Sequence, residues 1–220
     1  MKVFLTVVGL IVVAVVAVAL LVLVGGCGMY NNLVTLKQQV DKSWADVENV
    51  YQRRADLIPN LVNTVQGAAN FEKSTLTDVI KARQQVTNIK LDPTAAPEDP
   101  AALAKFQQSQ EALGGALSRL LVTVERYPEL KANANFQNLQ VQLEGTENRI
   151  AVERRKFNET VAAYNTTVQT APTVFFARLF GFTPRPYFQA QAGAENAPTV
   201  NFNFGQSPTP VPATPAPATP

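Results

Sequence analysis

The chain has 220 residues, 19 Lys+Arg against 17 Asp+Glu and a formal net charge of +2. That is room for one domain plus extensions, without the clustered basic surface of a nucleic-acid-binding protein. It has no histidine, which excludes Ser-His-Asp and Cys-His catalysis and ordinary zinc sites, and its one cysteine, Cys27, can form neither an internal disulfide nor a thiolate cage.

Residues 3–24 are apolar apart from Thr6 and Gly9 and carry no charge. A helix rising 1.5 Å per residue needs about 20 such residues to cross a hydrocarbon core. The run is longer than the roughly 7–15 apolar residues of a secretory signal, and only Lys2 precedes it. Residues 1–28 are therefore expected to be a membrane anchor, a transmembrane helix broken off from the body at Gly25-Gly26-Cys27-Gly28. The alternative is that Val24-Gly25-Gly26-Cys27 is a bacterial lipobox. Cleavage before Cys27 would then leave acyl chains as the anchor and the domain outside the cytoplasm. Either way the expected location is a bacterial cell membrane, single-pass in the first case. Lys2 on one side and Lys37 and Lys42 on the other give no orientation by the positive-inside rule.

Beyond Gly28, large apolar residues recur at Leu33, Leu36, Val40, Trp44, Val47, Tyr51, Ile58, Leu61, Val65 and Ala68. Steps of three and four, with one heptad from Tyr51 to Ile58, make a helical stripe close to a coiled-coil seam. Pro59 should bend this helix without ending it, because the stripe keeps its phase. Ser74 is a candidate cap for a resumed turn, and Val79, Ile80, Val86 and Ile89 carry the stripe to about Lys90. Residues 91–100 hold three prolines and read as a loop, with Asp99 as N-cap and Pro100 at the first helical position of the next helix. That helix runs to about Arg126, with Leu103, Phe106, Leu113, Leu117, Leu120 and Val124 inward, and Tyr127-Pro128 ends it. A further helix starts near Asn133 or Asn135 and carries Phe136, Leu139, Leu143, Ile150, Phe157, Val161, Tyr164 and Val168. It ends by Pro172, and residues 173–180 form a short apolar helix closed by Gly181.

Short loops between long helices favour antiparallel neighbours. The fold class is all-α: an N-terminal transmembrane helix followed by an elongated antiparallel bundle of three to four long helices. The bundle occupies residues 29–182, an extended segment 183–206 follows, and 207–220 is a Pro/Thr/Ala-rich tail without the apolar content to fold. Strand-like alternation occurs only over 199–204.

Four segments come in a recognisable order: YNNLV at 30–34, RRADLIPNLV at 53–62, YPELKAN at 127–133 and EGTENRI at 144–150. Phe157-Asn158 and Tyr164-Asn165 follow. Together they resemble the LemA family of bacterial membrane proteins, including its MamQ-like members, over residues 30–188. The resemblance implies one N-terminal anchor and an antiparallel helical bundle, in agreement with the periodicity, and it implies no established activity. Phe157 stands where the family usually has Tyr, which removes a hydroxyl from any polar site there.

The candidate polar set is Arg53, Arg54, Asp56, Asn60, Glu125, Lys131, Glu147, Asn148 and Asn158. Its structural reading is cross-bundle pairing that fixes register; its functional reading is a docking surface. Glu144, Glu147, Arg149, Glu153, Arg154 and Arg155 read as a solvated, ion-paired helix face, and the sequons at Asn158 and Asn165 read as chance matches. No catalytic residue, cofactor or metal site is expected, and the chain is read as no enzyme. The expected partners are the membrane, and proteins or a second copy bound through helical faces, with no nucleic acid. The favoured function is a non-catalytic scaffold or interaction protein of the cell envelope. The alternatives are a membrane-stress or lipid-sensing module acting through an amphipathic face over 173–182, and a lipoprotein tethering a ligand-binding bundle.

Overall fold

The computed structural model describes residues 2–68, 71–89, 91–92 and 94–190; most side chains between 2 and 24 fall outside that description, as do the strand-like stretch 199–204 and the tail 207–220. Among the described residues the chain is all helix and loop. The helices are α1 (Lys2–Gln66), α2 (Lys73–Asn88), α3 (Pro100–Val124), α4 (Pro128–Lys131), α5 (Ala134–Gln169) and α6 (Thr173–Phe180).

One sequence expectation changes here, the break between anchor and body. The glycines at 25, 26 and 28 do not break the helix, and α1 passes through them without interruption for 65 residues. Among the described residues no helix is long and apolar enough to cross a membrane. The first bundle helix is divided after Gln66, at Gly67, while Pro59 lies inside α1. Proline has no N–H, so the carbonyl four residues earlier, that of Ala55, loses its helical donor. Arg83 of α2 supplies the missing bond, its Nε donating to the Ala55 oxygen at 2.9 Å. The helix tolerates Pro59 because the neighbouring helix completes its backbone.

Helix ends follow local chemistry. Asp99 caps α3, its Oδ1 accepting from Ala101 N at 2.9 Å, with Pro100 at the first helical position. Asn133 caps α5, accepting from Asn135 N at 2.9 Å and Phe136 N at 3.2 Å. α2 is capped by neither Ser74 nor any other side chain; its N-cap residue is Glu72, and the Ser74 hydroxyl donates to the Glu72 carboxylate at 3.0 Å. α6 ends at Gly181, whose φ of 77° lies in the left-handed region that favours glycine.

α1 packs mainly on α5 and α2 on α3. The cross-links Ser43–Thr160 (2.8 Å), Asp46–Lys156 (3.2 Å) and Arg54–Glu147 (2.7 Å) step up α1 as they step down α5, so the pair is antiparallel. The core is in two parts. One contains Ile58 to Val65 of α1, the α2 stripe, Leu113 to Val124 of α3 and Phe136 to Leu143 of α5. The other contains Leu33 to Tyr51 of α1, Leu103 and Phe106 of α3 and Ile150 to Val168 of α5, together with Ala177 and Phe188. Trp44 is fully buried in the second part, edge-on to Phe106 and Phe157 and stacked on Phe188. Burying each such large side chain contributes roughly 1.5–3 kcal/mol.

The compact unit extends from Met1 to Phe188. Helical periodicity stops at 182, and six further residues, 183–188, belong to the same unit.

Candidate functional site

The gap between the two cores is polar. It falls between Tyr51 and Ile58 on α1, between Phe106 and Leu113 on α3, and between Leu143 and Ile150 on α5. Arg54, 3% exposed, fills it from α1. Its Nη1 donates to Glu147 Oε1 of α5 at 2.7 Å, and its Nη2 donates to the Gln110 carbonyl of α3 at 3.1 Å and to the Gln110 side-chain oxygen. The guanidinium sits 5.2 Å from the centre of the Tyr51 ring, and the buried Nε has no protein acceptor. One arginine thus ties three helices together at one level. Burial raises the Tyr51 phenol above its ordinary value, an effect opposed by the nearby Arg154 and Arg54. Glu147 is 48% exposed along its side chain. With Asn148 it lines an open groove of about 440 Å³ between α3 and α5.

The rest of the candidate set is dispersed. Arg53, Asp56 and Asn60 are exposed on α1, one or two residues to either side of the buried stripe. Glu125 and Lys131 form an exposed ion pair of 2.5 Å across the α3–α4 corner. Asn148 is exposed, one residue past the pairing Glu147. Asn158 belongs to a different arrangement altogether.

That arrangement is an asparagine ladder along α5. Asn165 donates from Nδ2 to the Arg185 carbonyl and accepts from Arg185 N, both at 2.8 Å. Asn158 does the same to Phe188, donating at 3.0 Å and accepting at 2.9 Å. The two asparagines are seven residues apart, about 10.5 Å on a helix. Arg185 and Phe188 are three apart, about 10 Å in an extended chain. The spacings match, so the ladder holds an extended strap by its backbone, antiparallel to α5. The Tyr164 hydroxyl adds a bond to the Thr183 carbonyl at 3.0 Å. The strap's own side chains then lock it. Arg185, 4% exposed, donates to the Ala96 carbonyl at 2.7 Å and pairs with Glu98 at 2.8 Å, reaching the loop between α2 and α3. Phe188 enters the Trp44 cluster, edge-on to Phe157 at 5.4 Å with the Arg154 guanidinium 4.8 Å over its ring. Phe157 is fully buried between these rings. Sequence reasoning missed the ladder. The available signal was two asparagines, poor helix formers, on one face in mid-helix.

A second groove, about 280 Å³, lies between α1, the end of α2 and α3, lined by Glu48, Tyr51, Asp56, Phe106 and Gln110 among others. Burial, aided by the charge of Asp92, raises the Glu48 carboxyl above its ordinary value, and its Oε2 has no hydrogen-bond partner. Cys27 is exposed on α1. Among the described residues no three His, Cys, Asp or Glu side chains are placed to hold a metal ion.

The LemA family model matches residues 43–202, a region that includes the ladder and the strap. Magnetosome protein MamQ of Magnetospirillum gryphiswaldense is 26% identical over 181 residues, covering 76% of this chain and 66% of its own length. Magnetosome protein MamQ 2 of Paramagnetospirillum magneticum is 25% identical over 187 residues, with the same shares covered. Protein LemA of Metamycoplasma hominis is 23% identical over 163 residues, 74% of this chain and 70% of its own length. The chain spans just under two thirds of the length of the MamQ relatives; with the LemA family model matched over most of its own length, it belongs to the LemA family.

Proposed function

We propose that this chain is a membrane-anchored, non-catalytic helical scaffold of the bacterial cell envelope, which presents a rigid bundle close to the bilayer for other proteins or further copies to bind. The observation that carries the reading is the continuity of α1. The uncharged apolar run 3–24 and the first bundle helix belong to one 65-residue helix. A rigid rod leaving a membrane fixes the height and direction of whatever it carries, and a helix interrupted at Gly25 to Gly28 would not. The polar layer supports a structural role as well. Arg54 spends its hydrogen bonds on partners in its own bundle, an arrangement suited to fixing register and not to turning over a substrate.

The test is alkaline carbonate extraction of membranes from cells expressing the full chain, beside a variant lacking residues 2–24. The full chain should stay in the pellet and the variant should appear in the wash. Recovery of the full chain in the wash would rule out the spanning anchor. Intact mass of the membrane-extracted protein separates a chain starting at Met1 from one starting at an acylated Cys27, the second anchoring mode that the Val-Gly-Gly-Cys segment motivates. Chemical crosslinking in intact cells tests the scaffold reading, which predicts adducts on exposed lysines of the bundle; uniformly monomeric, uncrosslinked protein would count against it.

A further inference from the structure

The helix α6 has the wrong surface for water. Its sequence is TVFFARLF, and its inner side is fixed to the bundle. Ala177 is fully buried, and Phe176 presses on α1 so closely that a Cβ on Gly26 would lie 3.0 Å from its ring. Phe180 meets the Tyr30 ring edge-on at 5.1 Å. The outer side is apolar too: Phe175 is 71% exposed, Leu179 75% and Phe180 47%. A water-facing helix surface is ordinarily polar, and single exposed apolar residues need no explanation, but three on one eight-residue helix form a patch.

Position decides what covers the patch. α6 docks at Gly26, two residues beyond Val24, where the apolar run ends. At 1.5 Å per residue that is about 3 Å along α1. The patch therefore lies at the level where α1 leaves the apolar run, with Tyr30 beside it and Arg178 exposed in its last turn. Aromatic rings and an exposed arginine at that level match the composition of a membrane–water interface. A Cβ at Gly26 would crowd the Phe176 ring, so a small residue suits this contact.

We infer that α6 is an interfacial helix that rests Phe175, Leu179 and Phe180 in the headgroup region of the bilayer crossed by residues 3–24. It would act as a second, shallow contact that stops the bundle from pivoting on its anchor. The inference rests on the spanning reading above.

The test uses the full chain with Cys27→Ser, reconstituted in phosphatidylcholine–phosphatidylglycerol vesicles, carrying one cysteine labelled with an environment-sensitive fluorophore. The sites are Leu179→Cys, Phe175→Cys, Val13→Cys within the apolar run, and Val122→Cys, an exposed position 71% accessible on α3. Vesicles with brominated acyl chains report burial among lipids. The expected result is strong quenching at position 13, blue-shifted and partly quenched emission at 175 and 179, and none at 122. Quenching at 13 with water-like emission at 175 and 179 overturns this inference and leaves the anchor standing. Blue-shifted emission at 175 and 179 without bromolipid quenching also overturns it, because the patch is then covered by protein. Absence of quenching at 13 removes the anchor reading and this inference with it. Circular dichroism of each labelled chain checks that the helices are intact.

Discussion

At the scale of single residues, the polar layer makes an asymmetric prediction. Arg54 is almost fully enclosed, whereas Glu147 is half-exposed along its side chain. Removing Glu147 leaves a guanidinium buried without its counter-charge. Removing Arg54 leaves a carboxylate that can turn to water through the groove beside Asn148. Glu147→Ala should therefore cost about 2–3 kcal/mol, and Arg54→Leu, which puts an apolar side chain between the two apolar cores, about 1 kcal/mol or less. Denaturant titration of both variants in mild detergent checks the order, and equal losses would refute it. Glu48 gives a prediction with a pH sign. Its folded-state pKa lies above the ordinary value of 4.5 because burial disfavours the charge. The raised value means that its contribution to stability is intact below about pH 4.5 and is lost as pH rises through the folded-state pKa. Glu48→Gln abolishes that loss. The variant should melt higher than the parent at pH 7 and no higher at pH 4, as read by thermal unfolding at the two pH values.

At the scale of helices, Pro59 and Arg83 should be energetically coupled. Arg83→Ala orphans the Ala55 carbonyl and should cost about 1–2 kcal/mol. In a Pro59→Ala background the helix regains its own donor, and the same Arg83→Ala change should cost about half as much or less. A double-mutant cycle measures the difference, and additivity would refute the account. The same pair shows what was legible in the sequence. A proline inside an unbroken apolar stripe indicates a continuing helix with a freed carbonyl, because both follow from chain-local rules. The donor that satisfies the carbonyl comes from another helix, and local pattern carries no information about it. Helix ends follow the same division. Asp99, Asn133 and Gly181 act through neighbours two to four residues away and are readable; the ladder at Asn165 and Asn158 acts on residues 20 and 30 positions away, so local pattern singles out Asn158 only as one of a polar set and gives no sign of what either residue holds. The glycines at 25, 26 and 28 misled in the other direction. Glycine weakens a helix by only about 1 kcal/mol relative to Ala, too little to break a 65-residue helix flanked by long apolar and packed segments.

At the scale of the whole molecule, the strap determines where the folded unit ends. Periodicity stops at Gly181, so a boundary at 182 is the natural reading of pattern alone, whereas hydrogen bonding and packing carry the unit to Phe188. The two boundaries differ in what they expose. A chain stopped at 182 loses Phe188 from the Trp44 cluster and Arg185 from the α2–α3 loop. Removing a core phenylalanine costs roughly 3–5 kcal/mol, and for a domain of this size each kcal/mol lowers the melting temperature by about 2–4 °C. A chain stopped at 190 keeps every one of these contacts. Truncation at 190 should therefore melt within a few degrees of the full chain, and truncation at 182 about 10 °C lower. Asn165→Ala in the full chain should fall between them, since it strands the N–H and carbonyl of a buried arginine, at about 2–3 kcal/mol. Hydrogen exchange on the same three proteins locates the effect. Amides of α5 from Phe157 to Val168 and those around Trp44 on α1 should lose protection in the 182 truncation, while those of α2 and of α3 beyond Leu113 keep more of theirs, because they pack in the other core. If the 182 and 190 truncations melt together, the strap is a passenger on the bundle and the ladder has no share in its cooperativity.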